Sequence, residues 1–370
     1  MILAAWNVVI HYLVPIGIAF SVVVVIHEWG HFWIARRCGV RVDRFSLGFG
    51  PEIFGITRGA TRYSLASIPL GGYVKLAGEA PEDGDHTGAP DEFSSQPWHI
   101  RAWIVLAGPL ASLLLAMALF AGIAWRWGAA SPSDTTIIGQ VIPDGPASAA
   151  GLRPGDKVLA VTLGGRARHG GQAGRTLPVT SWKGMAAIIH THPDKPLRFQ
   201  IERRAARLSI TITPKLDPRH KRGLIGVTPE TVQVRFGPFQ ALWEGARQTY
   251  LWIALTLKFL GMMILRLVSP DIAGPLGIAQ VVAKAAQNGL QEFLYMIALI
   301  STSLGLFNLF PIPLLDGGHI AMAALEGAMG KPLNPKVTKI AQSVGLVLLL
   351  TILVFATYSD IARLRSGLMK

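Results

Sequence analysis

The sequence predicts a polytopic α-helical membrane protein: four transmembrane helices, a β-hairpin on the cytoplasmic side and one α+β domain on the outer side. Three observations carry this. The 370-residue chain is 51% hydrophobic and 15% charged, with a mean hydropathy of +0.41, too apolar for a soluble protein of this size. Four segments are long and apolar enough to cross a bilayer, at about Leu13–Ala35, Trp103–Trp125, Leu294–Leu314 and Ala341–Tyr358. Basic residues also collect in the short loops between them.

That charge bias sets the orientation. Arg36, Arg37, Arg41, Arg44, Arg58, Arg62, Lys75 and Arg101 lie between spans one and two, and Lys331, Lys336 and Lys339 between spans three and four. Both loops are expected in the cytoplasm, with both termini and the long segment from about Arg126 to Glu292 on the outer side. The net charge of +13 is read as basic residues flanking the spans; the long outer segment is also rich in Arg, but long loops count little in this rule. No helix-turn-helix, RNP or zinc-finger signature accompanies it, so nucleic acid is not expected as a partner. The first apolar segment lacks a basic n-region and an A-x-A site, so it reads as a retained span rather than a signal peptide. Cys38 is the one cysteine. An intrachain disulfide and a thiolate zinc site are therefore excluded, and Cys38 reads as a small packing residue.

In order along the chain, residues 1–130 form a first membrane half with two spans. Between those spans, Thr61–Leu76 reads as strand, Pro69-Leu70-Gly71-Gly72 turn and strand, a hairpin candidate. Pro81–Pro97 is acidic and Gly/Pro-rich and reads as a mobile loop. Residues 136–216 form the α+β domain, with a short helix ending at Gly151, a Pro154-Gly155-Asp156 turn, a buried strand, and further strands at Leu197–Glu202 and Leu208–Ile212. Gly164–Gly174 is a Gly-rich insertion. Residues 236–290 contain an amphipathic run, Phe239–Tyr250, and an apolar run, Tyr250–Val268, that carries Lys258 and Arg266; these read as interfacial or re-entrant helices. Residues 291–370 form the second membrane half with two spans.

The chemistry sits in span one. His27-Glu28-Trp29-Gly30-His31 places two imidazoles one helical turn apart on one face, with a carboxylate beside them. That arrangement suits zinc, with Glu28 as general base. Ionisable groups at membrane depth are costly and are kept for function, so hydrolysis within the bilayer is expected. Two histidines need a third ligand. Asp316 is the best candidate, in Asn308-Leu309-Phe310-Pro311-Ile312-Pro313-Leu314-Leu315-Asp316-Gly317-Gly318-His319. Pro311 and Pro313 forbid regular helix there, and irregular backbone at such depth belongs beside protein or a wet cavity. Asn308, just before the break, either binds a substrate carbonyl or developing oxyanion or caps a broken helix. His27 lies about 20 Å along its span at 1.5 Å per residue. It meets Asp316 only if spans one and three enter from the same side, so Tyr250–Val268 is not expected to be a full span.

Together these residues resemble the site-2 protease family, specifically the bacterial regulated-intramembrane-proteolysis enzymes of the RseP type. The resemblance extends through Ala35-Arg36-Arg37, Phe45–Pro51, Ile68–Lys75, Ala107-Gly108-Pro109 and Gly274–Ala279, over most of the chain. It implies one zinc ion held by His27, His31 and Asp316, with Glu28 as base. It also implies that the outer domain is a single PDZ domain, where the best-known member carries two, and that the hairpin is a membrane-re-entrant β-loop presenting substrate, with Leu70, Gly71 and Gly72 as contacts. Ser112 stands where the family often has Asn. The implied enzyme is a zinc metalloendopeptidase of the bacterial inner membrane. It would cut a transmembrane segment of single-span proteins, anti-sigma factors or signal-peptide remnants, while the PDZ domain filters by size or binds a cleaved C-terminus. A non-catalytic PDZ membrane scaffold is the alternative, and it leaves Glu28 without a role.

Overall fold

The computed structural model describes residues 9–79, 87–164, 175–217, 221–267 and 274–365. The Gly-rich stretch 165–174, Asp271, Val268 and the first part of the acidic loop, 80–86, lie outside them. The chain forms two compact units, Gly128–Arg235 and the remainder.

In the larger unit, a π-helical stretch, Val9–Leu13, leads into α1 (Val14–Arg37), and α2 follows at Trp98–Arg126. Next come α5 (Pro238–Ile264), α6 (Pro275–Asn288), α7 (Leu290–Asn308), α8 (Asp316–Met329) and α9 (Pro335–Arg365), with α3 and α4 in the other unit. Among the described residues four helices are long and apolar enough to span a membrane: Val9–Arg37, Trp98–Arg126, Leu290–Asn308 and Lys336–Arg363. These are the four expected spans, with one correction. The third ends at Asn308 rather than Leu314, because Pro311 cannot supply a helical N–H and Pro313 repeats the block.

Small residues let these helices meet at backbone distance, the usual means of packing where lipid gives no hydrophobic drive. A Cβ at Gly30 of α1 would lie 2.4 Å from the Ala107 carbonyl oxygen of α2, and one at Gly305 of α7 would lie 2.9 Å from that of Pro109. Ala107-Gly108-Pro109 is thus where α1 and α7 both press on α2. Asp360 of α9 is fully buried and accepts hydrogen bonds from the Gly274 and Gly277 amides, each at 2.9 Å. A carboxylate there satisfies orphan donors at the start of α6. The stretch Phe239–Ile264, expected as separate runs, is one unbroken helix. Its Gly245 packs on Met117 and Ala121 of α2.

The hairpin expectation needs a larger correction. Thr61–Leu76 does not fold back on itself. It is one strand, β2, and its partner is β1 (Val42–Arg58), reached through a tight turn at Gly59-Ala60. Both strands bend midway, so four segments pair. Glu52–Arg58 runs antiparallel to Thr61–Ala66, and Val42–Leu47 runs antiparallel to Gly72–Leu76. Between them Arg44, Phe45, Ser46 and Leu47 face Arg62, Tyr63, Ser64 and Leu65 with both numbers rising together, a parallel contact. Phe45 and Tyr63 pack edge-on against Phe32 of α1, with ring centroids 5.3 and 6.0 Å from it, and Cys38 packs beside them. The far end of the sheet exposes Phe49, Ile53, Phe54, Ile56 and Ile68. The acidic loop is also more ordered than expected: Glu92 is buried and gathers the amides of Thr87 and Gly88.

The second unit holds β3 (Ala129–Pro132), β4 (Ile138–Val141), α3 (Pro146–Ala149), β5 (Lys157–Leu163), β6 (Arg175–Pro178), α4 (Trp182–His190), β7 (Leu197–Arg203) and β8 (Ala206–Ile212). Four short strands follow: β9 (Lys215–Asp217), β10 (Arg222–Leu224), β11 (Val227–Pro229) and β12 (Thr231–Val234). The antiparallel sheet β6-β5-β7-β8 and the two helices enclose Val158, Met185, Phe199 and Ile201. The unit is wider than 136–216 because β12 pairs with β3 and β11 with β4. Asp156, in the Pro-Gly-Asp turn, is buried and takes two hydrogen bonds from Arg203, both 2.7 Å. Burial pushes the Asp156 carboxyl up, but Arg203 and the Arg153 amide outweigh it and hold it below the usual carboxylate range. Arg203→Ala is expected to destabilise this unit, because it leaves the buried Asp156 carboxylate without its cationic partner. Because Asp156 is depressed in the fold, the pair's contribution is whole above the unfolded carboxylate value of about 3.9 and is lost as pH falls through the lower folded value. Chemical denaturation of the full chain across that pH range, wild type against Arg203→Ala, measures both.

Candidate metal centre

α1 carries His27 and His31 on consecutive turns, with Glu28 beside the first. The same face of α1 meets α2, where a Cβ on Gly108 would lie 2.2 Å from His31 Nε2. Glycine at 108 is therefore the space in which the His31 ring sits. Asp316 opens α8, so it stands at a helix start rather than at the end of the preceding span. The turn that delivers it is tight. Leu314 has φ +93°, a strained value for a branched side chain. A Cβ at Gly317 would lie 2.3 Å from the Phe310 carbonyl oxygen, and one at Gly318 would lie 2.3 Å from that of Ile312. The two glycines let residues 309–315 fold over the start of α8 and hold the aspartate in place.

Three donor atoms converge. Asp316 Oδ2 lies 3.1 Å from His27 Nε2 and 3.6 Å from His31 Nε2, and the two imidazole nitrogens are 3.3 Å apart. Ligands held tetrahedrally at about 2.0–2.1 Å from one zinc ion stand about 3.3 Å from each other. Asp316 Oδ2 is buried and receives no well-aligned hydrogen bond. His31 Nδ1 donates to the Ile104 carbonyl at 2.9 Å, so its proton is on Nδ1 and the Nε2 lone pair faces the site. His27 Nδ1 is 3.0 Å from Ser112 Oγ, and the Ser301 hydroxyl donates to the Ser112 carbonyl at 2.7 Å. Two imidazole nitrogens and a carboxylate oxygen at these separations match the ligand set of a single cation. Among the described residues this is the one group of three ligating side chains so disposed. The residues present fit zinc.

The match to known proteins is extensive. Residues 15–352 fit the model of peptidase family M50. The chain belongs to that family. A Rhizobium meliloti protein with a zinc-metalloprotease name is 34% identical, over 92% of this chain and 94% of its own length. The regulator of sigma-E protease RseP of Escherichia coli is 29% identical over 94% of this chain and 97% of its own. The zinc metalloprotease RasP of Geobacillus kaustophilus is 30% identical over 94% and 96%. This M50 peptidase is thus a zinc metalloprotease with a membrane-spanning body.

Other side chains of the M50 centre fall into place around the three donors. The Glu28 carboxylate accepts the Val74 amide of β2 at 3.1 Å, so the sheet edge abuts the metal-binding helix. Asn308 is the last residue of α7, half-buried, and among the described residues none hydrogen-bonds its side chain. Gly71 and Gly72 are not at an open turn. Both are buried in β2: Gly72 pairs with Leu47, and a side chain there would meet the Ser46 carbonyl oxygen at 2.5 Å. The Leu70 side chain lies outside what the structure describes. Ser112 is legible in the sequence only as a departure from the family pattern, whereas its hydroxyl orients His27. Gly108 carries no chemical signal beyond its Ala-Gly-Pro motif. Gly108→Ala is expected to push His31 out of line and lower zinc content about tenfold or more, with helix content kept. Ser112→Ala is expected to weaken zinc affinity about tenfold. Metal analysis of purified protein and chelator competition test both.

Proposed function

We propose that His27, His31 and Asp316 hold the zinc ion and that the enzyme is an intramembrane endopeptidase. The observation that carries this is the convergence of Asp316 Oδ2 on both imidazole nitrogens, within 3.6 Å, with both histidines on a helix apolar enough to lie in a bilayer. When bound, zinc supplies Lewis acidity, polarising a scissile carbonyl and acidifying water. Glu28 takes a proton from the attacking water and passes it to the leaving amine. Before substrate binds, its hydrogen bond to Val74 holds the carboxylate at the sheet edge beside the site. Asn308, free of partners among the described residues and next to the break in α7, donates its amide N–H to the substrate carbonyl as charge develops there.

A helical substrate hides its peptide bonds in its own hydrogen bonds and has to be drawn out first. Strand addition to the β1–β2 sheet supplies replacement hydrogen bonds. The apolar residues at the sheet's far end, Phe49, Ile53, Phe54 and Ile56, suit a sheet dipping into the membrane. The substrate contact moves from Leu70–Gly72 to the neighbouring edge at Val74 and Leu76. The substrate class is a transmembrane segment of a single-span protein. A relative's name, regulator of sigma-E protease, favours an anti-sigma factor over signal-peptide remnants. The Lys/Arg bias of the loops favours the inner membrane, with the Gly128–Arg235 unit on the outer side. That unit serves as one PDZ-like module.

Cleavage of a tagged single-span substrate tests the assignment. Glu28→Gln is expected to lose about a thousandfold or more in rate while keeping its zinc. Asp316→Asn is expected to lose both rate and zinc. Full activity in Glu28→Gln, or full zinc content in Asp316→Asn, rejects the corresponding role.

A further inference from the structure

The edge of β2 that faces the metal centre is already occupied. The Ala77 amide donates to the Arg41 carbonyl at 2.9 Å, toward the β1 side. Amides alternate along a strand, so those of Lys75 and Tyr73 also face β1, and those of Val74 and Leu76 face outward. Among the described residues no strand pairs with that outer edge. Instead each outward amide is held by a carboxylate. Val74 donates to Glu28 Oε2 at 3.1 Å, and Leu76 donates to Glu79 Oε2 at 3.1 Å. Glu79 is itself exposed.

An added strand needs these same alternate amides for its own carbonyl oxygens. We propose that Glu79 is a positioning residue which, together with Glu28, reserves the β2 edge, so that an incoming substrate strand must displace both carboxylates at once. This rests on Glu28 being the base and on strand addition at the sheet. Displacement from Val74 is then also the event that frees Glu28 for proton transfer. The edge admits only a segment with backbone carbonyls to offer. A helical segment has none free, so it leaves the carboxylates in place and the base tethered. Glu79 thereby sets a threshold for unwinding and discriminates extended from helical segments.

The test uses the full-length zinc enzyme in proteoliposomes, with one single-span reporter substrate in two forms. One form keeps its helical transmembrane sequence, and the other carries a helix-breaking Gly-Pro pair at the cleavage site. Glu79→Ala is expected to lower KM for the helical form by about three- to tenfold, the scale of one charge-assisted hydrogen bond shared with competing donors. It should change kcat less than about twofold and narrow the gap between the two forms. Glu79→Gln keeps an acceptor for the Leu76 amide without the charge, so it preserves the turn and is expected to fall between. An unchanged or raised KM in both variants overturns the proposal, as does a fall in kcat at constant KM. Glu28→Gln, run in parallel, separates the two layers. If it is inactive while Glu79→Ala leaves KM alone, only the reservation of the edge is wrong. If it cleaves normally, the base assignment fails and the proposal falls with it.

Discussion

One carboxylate oxygen within 3.6 Å of two imidazole nitrogens is the constraint from which most of the membrane body follows. Such a cluster suits a bound cation, and its members come from opposite ends of the sequence. Bringing them together requires α1, α2 and α7 to cross at backbone contact. Gly30, Gly108 and Gly305 supply the room, and the strained Leu314 turn with Gly317 and Gly318 delivers the aspartate. The carbonyl of Ile104 and the hydroxyl of Ser112 then fix each imidazole from behind. Substitutions that only add a methyl group act on the metal through this packing.

The sheet is the second dependent structure. Its aromatic contact with Phe32 anchors it to α1 just beyond the histidines, which brings the Val74 amide to Glu28. Glu28, both histidines and, through Phe32, the Val74 edge are therefore positioned by one helix. A shift of α1 would disturb all three together.

Much of this is legible in the sequence because it rests on local signals. Two histidines four apart define a face, and Pro311 and Pro313 announce broken helix. Alternating strands around Val158 and Phe199 mark the second unit. Asp316 stands out by its Asp-Gly-Gly setting after a broken span and by depth, not by spacing. The sheet defies sequence reading because Thr61–Leu76 contains a convincing Pro-Leu-Gly-Gly turn. The strand instead bends there and pairs with residues up to 34 positions away, as between Val42 and Leu76. Nothing in the local pattern encodes that parallel and antiparallel mixture. The roles of Ser112 and Glu79 are hidden for the same reason: each matters through a partner distant in sequence or through an open strand edge. The four late strands of the second unit are too short to show a period.

The most direct test is zinc-edge X-ray absorption of the purified full-length protein, compared with Asp316→Asn. Two imidazole nitrogens and at least one oxygen at about 2.0–2.2 Å are expected in the wild type, with loss of the metal or of the oxygen contribution in the variant. An unchanged spectrum at full occupancy in Asp316→Asn would contradict the assignment of Asp316 as the third ligand.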